Sequence, residues 1–287
     1  MKTIIISDIK AAHESIIPYA LNFAKHISER AAIVHPIDTR KKHAVSSAYA
    51  DSQTFERGEK LSYDKVLERD KHQAETALSN LLSKEASKLN YPLRVDTLVD
   101  VSSLTEGLNT VRKDKRPPFI IVSAEPDGEV IESQDEYFVM LEYMGGYTLI
   151  VPPGLTFQKP SKAMMVYDLE KDKNDNVIDL LNMLSPLEMH INLVDVMDME
   201  NYPEADMKSK SWVDYAEKIL NGKLRITSNV LTGEDYSETM INFFQRNQYD
   251  FIIVPQVFSP AKGLSPFPNE LHKTLIDKLH VPVMIYT

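Results

Sequence analysis

Four aspartates close apolar runs in this chain, and they stand where an open α/β sheet would do chemistry. "TIIISD" ends at Asp8 and "IVHPID" at Asp38; "AMMVYD" ends at Asp168 and "LVDVMD" at Asp198. A carboxylate at the end of a buried strand can hold a ribose hydroxyl or a divalent cation, and it can equally cap the helix that follows. Val254 closes a further apolar run. The loop beyond it places Lys262 beside Gly263, a cation next to a residue that lets the backbone approach a phosphate closely. Asp8, Asp38, Asp168, Asp198, Val254, Lys262 and Gly263 are the candidate ligand-binding residues. No catalytic residue, metal site or cofactor is assigned.

Several chemistries are excluded by counting. The chain has no cysteine, which removes disulfides, thiolate metal sites and Cys nucleophiles. Its nine glycines lie at 58, 107, 128, 145, 146, 154, 222, 233 and 263, and no two are two, three or four positions apart. G-x-G-x-x-G, G-x-x-G and G-x-S-x-G are therefore impossible, and G-x-x-x-x-G-K is absent. His13-Glu14 has no second His at metalloprotease spacing, and His35 and His190 are expected at or beside strands. No spacing matches a known catalytic apparatus, so a non-enzymatic protein is expected. A net charge of −10 with no basic stripe argues against nucleic acid. The longest apolar run of "MKTIIISDIK" is Ile4 to Ile6, too short for a signal peptide, and no run approaches a membrane span. A cytoplasmic protein without a membrane partner is expected.

The elements that must position these residues occur twice. "FIIV" stands at Phe119–Val122 and again at Phe251–Val254, an offset of 132. "LRVDTLVD" from Leu93 and "LRITSNVL" from Leu224 are 131 apart, while the four aspartates pair at an offset of 160 (Asp8 with Asp168, Asp38 with Asp198). The drop from 160 to 131 leaves 29 extra residues in the first copy, within 39–92. This is an internal duplication with one insertion. Runs at Thr3–Ser7, Ala31–Ile37, Leu93–Val99, Phe119–Val122 and Thr148–Val151 suit buried parallel strands. Helical stripes lie between them. One carries Ala74, Ala77, Leu78, Leu81, Leu82 and Leu89; another carries Trp212, Tyr215, Ala216 and Ile219. The alternation predicts two tandem doubly wound α/β sheets of five parallel strands each, flanked by helices. Domain 1 spans 1–153 with the insertion, domain 2 spans 162–287, and the linker 154–161 lies in the Pro-rich stretch "VPPGLTFQKPSK". The insertion predicts a longer second helix over Asp70–Leu89, with a loop or short helical piece over Arg40–Gly58.

This order of features resembles the universal stress proteins in their tandem two-domain form, over nearly the whole chain. Strand one ends in Asp ("IIISD", "MMVYD") and leads to "YALNFAKHIS"; strand two ends "HPID" or "VDVMD"; strand four is "FIIV"; the last strands are "YTLIVPP" and "VPVMIY". The resemblance implies a Rossmann-like fold, related to the adenine-nucleotide hydrolase-like folds, whose domains pair through their last strands. Here it implies pairing of the two domains within one chain, around Thr148–Val151 and Val281–Tyr286, and a possible homodimer. Many members bind ATP, with the strand-one Asp and the strand-two end near the adenosine and a glycine-rich loop after strand four on the phosphates. Both loops depart from that pattern. "SAEPDGEVIESQDE" and "PQVFSPAKGLSPFPNE" place Asp135-Glu136 and Asn269-Glu270 where the family has Gly-Ser. A carboxylate there repels phosphate by roughly 1 kcal/mol at 4 Å even in water. The expected function is a stress-response role through binding or interaction, without ATP on the family loop. The alternative is an adenine-nucleotide binder with a non-standard loop in domain 2. An enzyme of the related hydrolase folds lacks its signatures, S-G-G-x-D-S and H-x-G-H.

Overall fold

Short runs of buried β-branched and aliphatic residues build ten strands, and amphipathic stretches between them build the helices that cover the sheet. A computed structural model describes residues 2–9, 14–39, 63–86, 88, 93–111, 118–125, 130–131, 133, 136, 139–140, 143–167, 174–197, 199–233, 235–255 and 268–286. In the first half the order is β1 (Lys2–Ile6), α1 (Ile17–Ile27), β2 (Arg30–Pro36), α2 (Tyr63–Ala86), β3 (Arg94–Asp100), α3 (Leu104–Val111), β4 (Phe119–Ser123) and β5 (Tyr147–Val151). In the second half it is β6 (Lys162–Val166), α4 (Asn174–Leu184), β7 (His190–Met197), α5 (Tyr202–Leu220), β8 (Arg225–Thr232), α6 (Tyr236–Asn247), β9 (Phe251–Pro255), α7 (Pro268–Leu279) and β10 (Val283–Tyr286).

The strand order is β3-β2-β1-β4-β5-β10-β9-β6-β7-β8, one ten-stranded sheet. Each half is parallel, and each has the doubly wound order in which the chain first moves one way from β1 or β6 and then the other. The doubly wound α/β class expected from the alternation is the class found, and it is Rossmann-like, as the resemblance implies. The two sheets are continuous, because β10 runs antiparallel to β5 with Val283 opposite Ile150 and Tyr286 opposite Tyr147. That pairing satisfies backbone groups that would otherwise lie on two open edges.

Strand boundaries differ from the sequence reading by about one residue, as fraying ends do. The larger differences come from sheet position. β3 and β8 are edge strands, so "LRVDTLVD", expected to be buried, is mostly half-exposed or exposed. α2 begins seven residues before Asp70 and buries Ala74 and Leu78 while Ala77 faces solvent. Arg40–Gly58 lies outside the described residues. Local chemistry sets other helix ends. Ser103 and Glu106 form a reciprocal capping box at α3: Glu106 N–H donates to Ser103 Oγ (3.3 Å), and Ser103 N–H donates to Glu106 Oε2 (2.8 Å). Asp235 accepts from Glu238 N–H (2.9 Å) and caps α6.

One aromatic cluster joins the halves. The first residues of the two "FIIV" strands, Phe119 and Phe251, both stack on Phe23 of α1, with centroids 5.7 Å and 6.0 Å away. Phe157 of the connecting segment meets Phe23 and Tyr19 edge-on, and His26 stacks on Phe157. Phe23 is fully buried. The duplicated strands thus converge on one unduplicated ring.

Candidate functional site at the strand switch points

In each half the strand order reverses beside the first strand, between β1 and β4 and between β6 and β9. In open α/β sheets ligands bind at such a point, beyond the carboxyl ends of the strands. In the first half the chain leaves β1 through Ser7 and Asp8, leaves β2 through Ile37 and Asp38, and leaves β4 through Ala124 and Glu125.

Asp8 is buried, and both its oxygens are committed to the start of α1. Ser15 Oγ–H donates to Oδ1 (2.6 Å) and Ile16 N–H donates to Oδ2 (2.8 Å). Ile17 N–H in turn donates to Ser15 Oγ (3.2 Å). A helix N-terminus is the ready anion site of such a fold, because its first N–H groups have no partner within the helix. Here the Asp8 carboxylate binds the amide just before α1, and the first helical amide, of Ile17, goes to Ser15. Neighbouring amides are also taken up. Ser7 N–H donates to Val34 O (2.9 Å) and Ala124 N–H to Val151 O (2.8 Å), extending the ladders past the formal strand ends. Glu125 N–H donates to Ser123 Oγ (3.3 Å). Asp38 is buried beyond β2, where Ile37 N–H donates to Asp100 O (2.8 Å). Asp8, Asp38 and Glu125 share this edge as carboxylates. Among the described residues no three His, Cys, Asp or Glu groups stand together as metal ligands.

The second half is built differently at the same place. Tyr167 stands where the first half has Ser7, at the 160-residue offset. Its ring is buried and packs on Trp212 of α5, centroids 4.9 Å apart. Val254 is fully buried in β9, opposite Ile285, so its side chain belongs to the core. Asp168, Asp198, Lys262 and Gly263 lie outside the described residues. The sequence reading passed over Tyr167, although "YD" against "SD" in the aligned openings marks it. It also passed over Asp195 of β7, a buried carboxylate whose Oδ1 accepts from Val196 N–H (2.8 Å).

A polar network occupies the opposite, amino edge of the second half. Asn192 is buried; its Nδ2–H donates to Tyr249 Oη, and its Oδ1 accepts from Asn229 Nδ2–H (2.9 Å) and Thr227 Oγ–H (3.2 Å). His190 Nε2 lies 2.8 Å from Thr227 Oγ1. The Lys162 ammonium sits 4.6 Å over the Tyr249 ring. These bonds tie β7 to β8 and to the turn before β9, so the network helps fix strand register. Tyr249→Phe strips a buried amide of its acceptor and is expected to cost about 1–3 kcal/mol, read from urea unfolding. Burial, then Arg225 and Lys162, lower the His190 pKa, and burial with Lys25 and Lys159 lowers that of His26. The unfolded chain therefore binds these protons more readily. Their contribution is present above a pH of about 6.5 and is lost as pH falls below it. Thermal midpoints are expected to decline below that pH, less steeply in His190→Gln.

No protein-family model matches the sequence, and no curated protein matches it. Solved structures do. A universal stress protein from Archaeoglobus fulgidus superposes with TM-score 0.67 at 11% identity, over 100% of this chain and 98% of that one. A putative universal stress protein from Pseudomonas aeruginosa gives TM-score 0.52 at 12% identity, over 99% and 92%. The cytoplasmic domain of a prokaryotic cation chloride cotransporter gives TM-score 0.51 at 9% identity, over 99% and 94%. Over its whole length this chain has the fold of universal stress proteins. No helix among the described residues is long and apolar enough to cross a membrane.

Proposed function

We propose that this chain is a tandem universal stress protein of the cytoplasm that acts in stress response by binding or interaction. It is not an enzyme, and it does not hold ATP through a glycine-rich loop. One observation carries this reading: in the first half the Asp8 carboxylate is bonded to Ser15 and to the Ile16 amide just ahead of α1, and the amides beside it are spent on the sheet. The glycine spacing supports it for both halves, because a nest of backbone N–H groups around phosphates needs close glycines that neither loop has. The β5–β10 pairing supports a permanent association of the two halves, each covering the other's edge.

Mass spectrometry of small molecules released by denaturing the purified protein tests the ligand reading. No stoichiometric adenine nucleotide is expected. Stoichiometric AMP or ATP would transfer support to the alternative, a nucleotide site in the second half using Lys262 and Gly263.

A further inference from the structure

Periodicity alone assigns Tyr215 and Ile219 to the packed face of α5, beside Trp212 and Ala216. The structure buries Trp212 and Ala216 but leaves Tyr215 44% and Ile219 40% exposed, and Met207 66% exposed. Met207, Tyr215 and Ile219, three of the eight exposed large hydrophobics among the described residues, lie along the outer side of this one helix. A concentration of this kind marks an interaction surface more often than scattered apolar residues do. On this face a pocket of about 520 Å³ opens between Glu204, Met207, Lys208, Ser211, Trp212 and Tyr215.

The charges around the stripe say what covers it. Counted outward from Ser211, Met207 and Tyr215 are equidistant, and so are Glu204 and Lys218, and Lys208 and Asp214. The signs invert across Ser211 in both charged pairs. At about 100° per residue, Glu204, Met207, Tyr215 and Lys218 all fall within about 40° of Ser211 around the helix. We propose that this face binds a second copy of the chain, the two α5 helices crossing antiparallel at Ser211 on a twofold axis. Glu204 of each copy then meets Lys218 of the other, Lys208 meets Asp214, and Met207 packs on Tyr215. A parallel crossing would set Glu204 on Glu204 and Lys218 on Lys218, so the charges also select the orientation. Such an interface is self-complementary and closes at two copies.

Local geometry suits the crossing. Ser211 is small, and its hydroxyl donates to Met207 O (3.0 Å), so it brings no unsatisfied donor into the contact. Glu204 and Lys208 already pair at 2.8 Å within the helix. In the dimer they become the middle of a chain of alternating charges, Lys218–Glu204–Lys208–Asp214, whose outer members come from the second copy. The corresponding helix of the first half, α2, exposes no large apolar side chain among its described residues. The inference does not depend on the ligand reading, because none of these residues lies at a strand end.

Sedimentation velocity of the full chain over a concentration series tests it. A monomer–dimer equilibrium is expected, with Glu204→Lys and Lys218→Glu each weakening the dimer by about tenfold or more. The double variant Glu204→Lys/Lys218→Glu is expected to recover the dimer, since it restores opposite signs across the axis. Met207→Asp, at another exposed position, is expected to dissociate it. A monomer at all concentrations would overturn the proposal. So would a dimer indifferent to the single reversals, or a double variant no better than either single one.

Discussion

Replacing Phe23 with alanine is expected to lower the unfolding free energy by about 3–5 kcal/mol, the range for truncating a fully buried aromatic ring. Part of that loss is specific to ring pairs, at about 0.5–1.5 kcal/mol each. Phe23 stacks on Phe119 and Phe251 and meets Phe157 edge-on, so its removal opens a cavity bounded by both halves and by the segment joining them. Urea denaturation followed by far-UV circular dichroism measures the effect. The variant is expected to show a lower midpoint. A change under about 1 kcal/mol would mean that the ring does not couple the halves as its contacts indicate.

The second large effect is expected at Asp250. Its carboxylate gathers Ser161 N–H (2.8 Å), Ser161 Oγ–H (2.7 Å) and Lys162 N–H (3.0 Å), and its own N–H donates to Lys162 O (3.0 Å). These bonds bind the start of β6 to the start of β9, neighbours in the sheet although nearly ninety residues apart. Hydrogen bonds to an ionised group are the stronger kind, and removing the acceptor leaves the Lys162 amide half-buried without it. Asp250→Ala is expected to cost about 2–3 kcal/mol and Asp250→Asn about 1 kcal/mol, since the amide keeps one acceptor oxygen. Equal losses for both variants would contradict the role assigned to the charge.

The sheet was legible because its signals are local. "FIIV" is buried at every position in both copies, and the pairs of aspartates fix the frame in which the copies align. What escaped the sequence depended on neighbours. Val95 and Leu98 of β3 are apolar like inner-strand residues, yet the place of β3 at the end of the order leaves both only half-buried, and the Arg94, Asp96 and Asp100 interleaved with them fit that edge. Tyr215 and Ile219 keep helical spacing with Trp212, yet the packed arc of α5 is centred on Ala205, Ser209, Ala216 and Leu220. Periodicity finds such an arc without fixing its edges. At the site, Asp8 was recognisable as a strand-end carboxylate, and capping and ligand binding were both open to it. In the fold its carboxylate accepts from Ser15 Oγ–H and Ile16 N–H just ahead of α1, contacts across a chain separation that spacing alone does not close. Tyr167 escaped because its burial depends on Trp212, a partner 45 residues away in sequence.

Isothermal titration calorimetry with Mg-ATP tests the central claim most directly. The amides beside Asp8 are already bonded, neither loop after "FIIV" has closely spaced glycines, and those loops carry Asp135, Glu136 and Glu270. Magnesium reduces the repulsion between those carboxylates and phosphate, so the titration includes it. The account predicts no heat of binding, or a dissociation constant no tighter than about 0.1 mM, equivalent to some 5 kcal/mol. A micromolar site would contradict it, and loss of that site in Lys262→Ala would place the nucleotide in the second half.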